Sequence, residues 1–277
     1  MSVKNILSVN PIFYSVIKKI INIKKNNKYN KELESISKID SIRDYDLFKI
    51  TIQRFINNNI PTTYASYGSE AYYYGYYNEI IQYSGVDFTC IPLIPNIEHG
   101  IKFDGTQWYY QRNSISFAAQ GPYRKKDIHD IDPWKLVFIV GPYIHYARKF
   151  YSIELEQEYK TKYKKILLVF PSHTSEWDKE NGTNNDNFID VIYNKYSWRF
   201  DTVMVCAYWN DVNAPLFEEF KKRGAIIVSA GFRGDKQFIS RLKTIISLSD
   251  AVVGDDIATN IGFCMYLKKP FYLERGT

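Results

Sequence analysis

Cysteine is scarce in this sequence: only Cys90, Cys206 and Cys264 occur, far apart in 277 residues. Their number is odd and no Cys-x-x-Cys spacing appears. That argues against a disulfide framework or a structural zinc site and for a reducing compartment. Long apolar runs are also lacking. No stretch is long and apolar enough to span a bilayer. Residues 1–30 hold no continuous apolar core with a cleavage site, so no signal peptide is predicted. The chain lacks H-E-x-x-H, G-x-S-x-G, the Walker loop and G-x-G-x-x-G. A zinc protease, an esterase of that type, a P-loop NTPase and a dinucleotide oxidoreductase therefore lose support. The Asp-x-Asp at Asp130-Ile131-Asp132 is read as a coincidence in a polar loop before Pro133, a loop that also holds His129. No metal or other cofactor is predicted.

Acidic residues are missing from the start of the chain. Lys4, Lys18, Lys19, Lys24, Lys25, Lys28 and Lys31 all precede Glu32, so much of the net charge of +6 sits there. A basic front end is either a solvated tail or a contact for an anionic surface. Residues 11–23 have roughly helical apolar spacing between lysines, which allows peripheral contact with a membrane. Few aromatics interleave with these lysines beyond Phe13, Tyr14 and Tyr29, so nucleic acid is not the expected partner. The expected location is cytoplasmic, with membrane association on the cytoplasmic face through this segment.

What the chain has in quantity is tyrosine, 24 residues, within an aromatic content of 17%. Tyrosine buries a ring while keeping a polar tip, which suits clefts as well as cores. Residues 25–45 are polar and read as a helix exposed on most sides or a linker. Residues 45–58 read as a helix ended by Asn57-Asn58-Asn59 and Pro61. Strands are predicted at 61–66, 88–95, 114–119 and 135–140, with helical material near 69–83. Residues 149–163 form a charged helix or linker and supply the domain boundary. Beyond it, strands at 165–171, 201–208, 225–231, 250–256 and 270–273 alternate with helices at 186–196, 214–224, 236–249 and 258–269. Such alternation gives right-handed crossovers and a parallel sheet covered on both faces. Ligands of open parallel sheets bind beyond the carboxyl ends of the strands. That rule selects the loops 171–183, 207–213, 230–236 and 254–261.

Several residues of these loops have chemistry to offer. Ser172, His173 and Thr174 follow a strand directly and either reach a phosphate or serve as turn and cap. Arg233 lies between Gly231 and Gly234 and either pairs with a phosphate or with Asp235 or another surface carboxylate. Asp255 and Asp256 precede Thr259 and Asn260 at a helix start, where free amides and the helix dipole favour an anion. The two aspartates would repel a phosphate unless they face a ribose, a sugar or a cation; alternatively they cap the helix. In the first half, Glu98 and His99 precede Gly100 and could act as general base toward an acceptor hydroxyl, or be structural. His145 is a second histidine candidate, on the acceptor side.

The segments EHG (98–100), GPYIHYA (141–147), FPSHTSEW (170–177) and SDAVVGDDIATNIGFCMYLKKPFYL (249–273) resemble, in this order, B-type glycosyltransferases of bacterial capsule and surface-polysaccharide biosynthesis. The resemblance implies an α/β fold of two Rossmann-like domains with parallel sheets: 1–148, a helical segment plus an acceptor-side domain, and 149–277, a nucleotide-sugar-binding domain. Members commonly continue through helices that return to the first domain. This sequence ends at Thr277, so the expectation is a fold without them. The implied activity is metal-independent transfer of a sugar from a nucleotide-sugar donor to a glycan or lipid-linked acceptor. His99, with Glu98, would be catalytic. Ser172, His173, Thr174, Arg233, Asp255, Asp256, Thr259 and Asn260 would hold the donor. A non-catalytic nucleotide-sugar-binding or polysaccharide-assembly protein and a sugar-nucleotide epimerase fit the same architecture.

Overall fold

The β-branched and leucine-rich runs of the second half lie side by side as one parallel sheet. In the computed structural model, which describes residues 33–57, 74–85, 95–98, 100, 105, 115–172 and 186–274, these runs are β4 to β8. They are preceded by helices α1 (Tyr45–Asn57) and α2 (Tyr76–Ser84), strands β1 (Asn96–Ile97) and β2 (Ser116–Ala119), helix α3 (Pro122–Ile131) and strand β3 (Leu136–Ile139). Helix α4 (Ile153–Tyr163) leads into β4 (Ile166–Phe170), then α5 (Asp186–Val191), β5 (Thr202–Cys206), α6 (Pro215–Lys222) and β6 (Ile226–Val228). The chain continues through α7 (Phe238–Leu248), β7 (Ala251–Gly254), α8 (Thr259–Tyr266) and β8 (Phe271–Leu273). Strands β1, β2 and β3 form a three-stranded sheet in that order, and the larger sheet has the order β6-β5-β4-β7-β8. All the pairings are parallel. The protein is thus α/β, and the larger sheet has the strand order of a doubly wound, Rossmann-like half.

The period-2 rule of strands explains how one sheet serves two cores. Ile166 and Leu168 of β4 face a layer holding α4, α7 and α8, through Tyr159, Ile245 and Phe263. Leu167 and Val169 face the other layer, with Phe48 and Ile52 of α1, Ile189 of α5 and Phe220 of α6. All four β4 residues are 0% exposed. Trimming either leucine to alanine should therefore cost about 2–5 kcal/mol.

Residues 33–37 are helical, in line with one of the two expected readings, and Ile36, Ser41 and Ile42 of residues 33–44 are buried. Ser41 Oγ donates to the Ser229 carbonyl at 2.7 Å, and Ser229 N donates to the Ser41 carbonyl at 3.0 Å, which stitches the segment to the end of β6. The polar composition hides this, because its few isoleucines carry the burial. Residues 122–131, including His129, Asp130 and Ile131, are helix α3 rather than polar loop. Pro122 opens the helix and Ile128 is its buried apolar contact, too few residues to raise a periodic signal. The expected strand at 61–66, the helix at 11–23 and residues 88–94 of the expected 88–95 strand lie outside the described residues.

Candidate functional site

The order of the larger sheet reverses between β4 and β7, and the chains leaving these two strands part to opposite sides. Phe170 of β4 lies in register with Gly254 of β7. Immediately beyond, Ser172 N donates to Asp255 Oδ1 at 2.6 Å and Ser172 Oγ donates to Asp255 Oδ2 at 3.1 Å. The two strand ends are thus clasped by one carboxylate. Burial raises the Asp255 pKa above the ordinary aspartate value, and the bonds from Ser172 oppose that rise.

Above the clasp opens a cavity of about 570 Å³. Its floor comes from the carboxyl ends of the strands: Phe170 to Ser172 after β4, Cys206 to Tyr208 after β5, and Ala230 after β6. Phe238 and Leu242 of α7, and Phe263 of α8, form apolar sides. Tyr74 and Tyr76 complete the wall, Tyr74 packing on Phe238 with ring centroids 4.8 Å apart. Tyr74 holds a left-handed backbone at φ 60° as the chain enters α2, and its N–H donates to the Arg233 carbonyl at 2.6 Å. The Tyr74 and Tyr208 hydroxyls meet at 3.1 Å, and burial holds the Tyr74 phenol protonated by raising its pKa. Cys206 is a free thiol, pushed up to about 12 by burial. Cys264 is also free and buried, while Cys90 lies outside the described residues.

The first turn of α8 is the polar side of this cavity. Ala258, Thr259 and Asn260 line it beside Asp255 and Asp256. The N-cap is Ala258, whose side chain cannot cap, so neither aspartate plays the capping role that the sequence left open. The first amides of a helix lack the usual intrahelical acceptor; here Ile261 N turns back to the Ala258 carbonyl at 3.1 Å, which leaves the Thr259 and Asn260 amides as the ones to offer. Asn260 Oδ1 is buried with no hydrogen-bond partner among the described residues. Asp256 is exposed and its Oδ1 accepts from Ile257 N at 2.6 Å. Among the described wall residues, the charged groups are these two aspartates.

Part of the first half reaches the same place. A Cβ built on Gly100 would stand 3.6 Å from Thr259 Oγ1, so Gly100 abuts the start of α8. Gln120 Nε2 donates to the Gly100 carbonyl at 3.0 Å. Glu98 itself is buried and gripped in bidentate fashion by Arg124, with Nε to Oε2 at 2.8 Å and Nη2 to Oε1 at 2.5 Å. A carboxylate held this way anchors the chain at Glu98 to helix α3. His99 lies outside the described residues, as do His173 and Thr174.

Neither a known family profile nor any curated protein matches the chain.

The remaining expected site residues stand apart from the cavity wall. Arg233 lies with its guanidinium 5.2 Å from the centroid of the Trp209 ring. Its expected alternative partner, Asp235, is taken by Arg241 at 2.5 Å, both side chains being 1% exposed. Arg241 also donates to the Ser37 carbonyl at 2.7 Å and the Ile39 carbonyl at 3.2 Å. His145 sits on a 3₁₀ turn, Tyr143–His145, with Nδ1 2.5 Å from the Tyr266 hydroxyl. Sequence reasoning missed Tyr74, Tyr76, Tyr208 and Cys206 as wall residues. For Tyr208 a signal existed, since it directly follows a strand in a loop already selected by the carboxyl-end rule. For Tyr74 and Tyr76 no local signal exists, because they come from another part of the chain.

Proposed function

We propose that the protein is a metal-independent glycosyltransferase of the two-domain B type. It binds a nucleotide-activated sugar in the cavity above β4 and β7 and passes the sugar to a glycan or lipid-linked acceptor. One observation carries the reading: Gly100, which follows His99 in sequence, lies against Thr259, and Thr259 lines the cavity at the first turn of α8. In this reading the α8 amides and Thr259 receive phosphoryl oxygens, where fixed dipoles stabilise the leaving group without a metal. Asp256 and the Asn260 carbonyl oxygen accept hydrogen bonds from sugar or ribose hydroxyls. Asp255, bound on both oxygens by Ser172, holds the two strand ends in place. His99 takes the proton of the acceptor hydroxyl, and the Glu98–Arg124 pair fixes the segment that carries it. Arg233 and His145 are left without a donor or acceptor role at the cavity, and the lysine-rich first 31 residues would rest on an anionic membrane.

The test is a thermal-shift screen against nucleoside mono- and diphosphates and their sugars, followed by transfer assays. A ligand at a hundred times its Kd should stabilise by about 2.7 kcal/mol. His99→Ala should abolish transfer and leave that shift intact. Transfer at the wild-type rate in His99→Ala would remove the base assignment; no shift with any nucleotide would remove the donor site.

A further inference from the structure

Helices α2 and α8 both start at the cavity, Tyr76 on one and Thr259 and Asn260 on the other. The Tyr76 and Phe263 rings lie 6.5 Å apart, edge to face, so the two helices are neighbours. Seven residues further along each helix stand Tyr83 and Tyr266, roughly 10 Å away at 1.5 Å per residue. There they meet His145 and Tyr146 from the turn after β3. The Tyr83 ring is 5.5 Å from His145 and 5.0 Å from Tyr146, and the Tyr266 ring is 5.7 Å from His145, all edge to face. These rings are not sunk into the core: Tyr83 is 63% and Tyr266 41% exposed. At the margin, the exposed Arg148 guanidinium donates to the Gln82 side-chain carbonyl, and among the described residues no carboxylate meets it.

We propose that this surface cluster of Tyr83, His145, Tyr146 and Tyr266 is a second binding site, for the body of an acidic oligosaccharide whose end reaches the cavity. The proposal rests on the glycosyltransferase reading for the identity of that end. The exposed Tyr83 and Tyr266 rings offer an apolar face for a sugar's C–H groups, and the Tyr83 hydroxyl and His145 Nε2 face its hydroxyls, while the Tyr146 hydroxyl is bound to the Val140 carbonyl and the Tyr266 hydroxyl to His145 Nδ1. Arg148 supplies the counter-charge for a sugar carboxylate. Binding energy gained here would hold a long acceptor in register with the reacting end without touching the chemistry.

Titration of the full chain with uronic-acid oligosaccharides of two to eight residues, beside neutral glucose oligomers of the same lengths, tests this. The expected result is affinity that grows with length for the acidic series and exceeds that for the neutral one. Tyr83→Ala should weaken the longest acidic oligomer about three- to tenfold, the usual reach of an aromatic contact, and Arg148→Gln should erase the preference for acidic over neutral chains. Both residues are on the surface, and an unchanged melting temperature establishes that each variant folds. The nucleotide-induced thermal shift should be the same in both variants as in the wild type. Absence of binding in the acidic series, or binding that neither substitution alters, would overturn the proposal. Retained oligosaccharide binding in a protein that takes no nucleotide would instead overturn the donor reading and leave this site standing.

Discussion

Asp255 and Ser172 make a claim that can be read out by pH. Burial favours the neutral form of Asp255, so its pKa in the folded chain lies above that in the unfolded chain. The folded state then binds more protons across the interval between the two values, and stability falls as pH rises through it. Asp255→Asn keeps an acceptor for Ser172 N and removes the ionisation. The variant should match the wild type below the unfolded pKa, gain on it as pH rises to the folded one and keep a constant lead above that, in urea titrations at a series of pH values. A gap that does not move with pH would show that Asp255 titrates as it does in the unfolded chain. The Arg241–Asp235 pair is a second residue-scale case. Both side chains are almost wholly buried, and Arg241 also ties the carbonyls of Ser37 and Ile39 to α7. Arg241→Ala strands a buried carboxylate and should cost about 3–5 kcal/mol by urea denaturation.

Among the elements, the entry to α2 is the most tightly specified. Gly75 sits at φ 69°, and a Cβ there would come within 2.3 Å of the Lys236 carbonyl oxygen. Gly75→Ala therefore meets both a left-handed backbone and a collision with main chain, and should destabilise by at least about 2 kcal/mol. Because α2 carries Tyr76 into the cavity wall, the same substitution should also loosen the site. Alkylation of Cys206, slow in the wild type because its thiol is buried, should then accelerate. An unchanged rate in a destabilised variant would separate α2 from the cavity. The helices and strands after residue 165 are legible in the sequence because short apolar runs alternate regularly with amphipathic ones, with Gly224, Gly231 and Pro270 among the breaks. Helix α3 is not, since Ile128 is its one deeply buried apolar side chain. The burial of Ile36, Ser41 and Ile42 was equally hidden, because it depends on β6, almost two hundred residues away.

At the scale of the whole molecule, the carboxyl-end rule located the cavity before any coordinates did. The loops after β4, β5, β6 and β7 were chosen from strand alternation alone, and each gives residues to its wall. The division of labour within those loops was not legible. Asp255 and Asp256 are adjacent and chemically alike, yet one is bound by Ser172 and the other faces solvent. Glu98 reads as reactive in sequence and is an anchor in space, because its partner Arg124 lies on a helix the sequence did not announce. If the cavity takes a nucleotide, ligand and protein should protect each other: Cys206 alkylation should slow further as nucleotide is added, with a half-effect at the concentration that half-saturates the thermal shift.

The first turn of α8 bears the greatest weight. Amide chemical shifts of Thr259 and Asn260, followed while nucleoside mono- and diphosphates are added to the isotopically labelled protein, report on it directly. Saturable displacement of these two signals, larger than that of amides on the far edge of the sheet at β6, is the result expected. Signals that stay fixed at millimolar nucleotide, in a protein that remains folded, would contradict it.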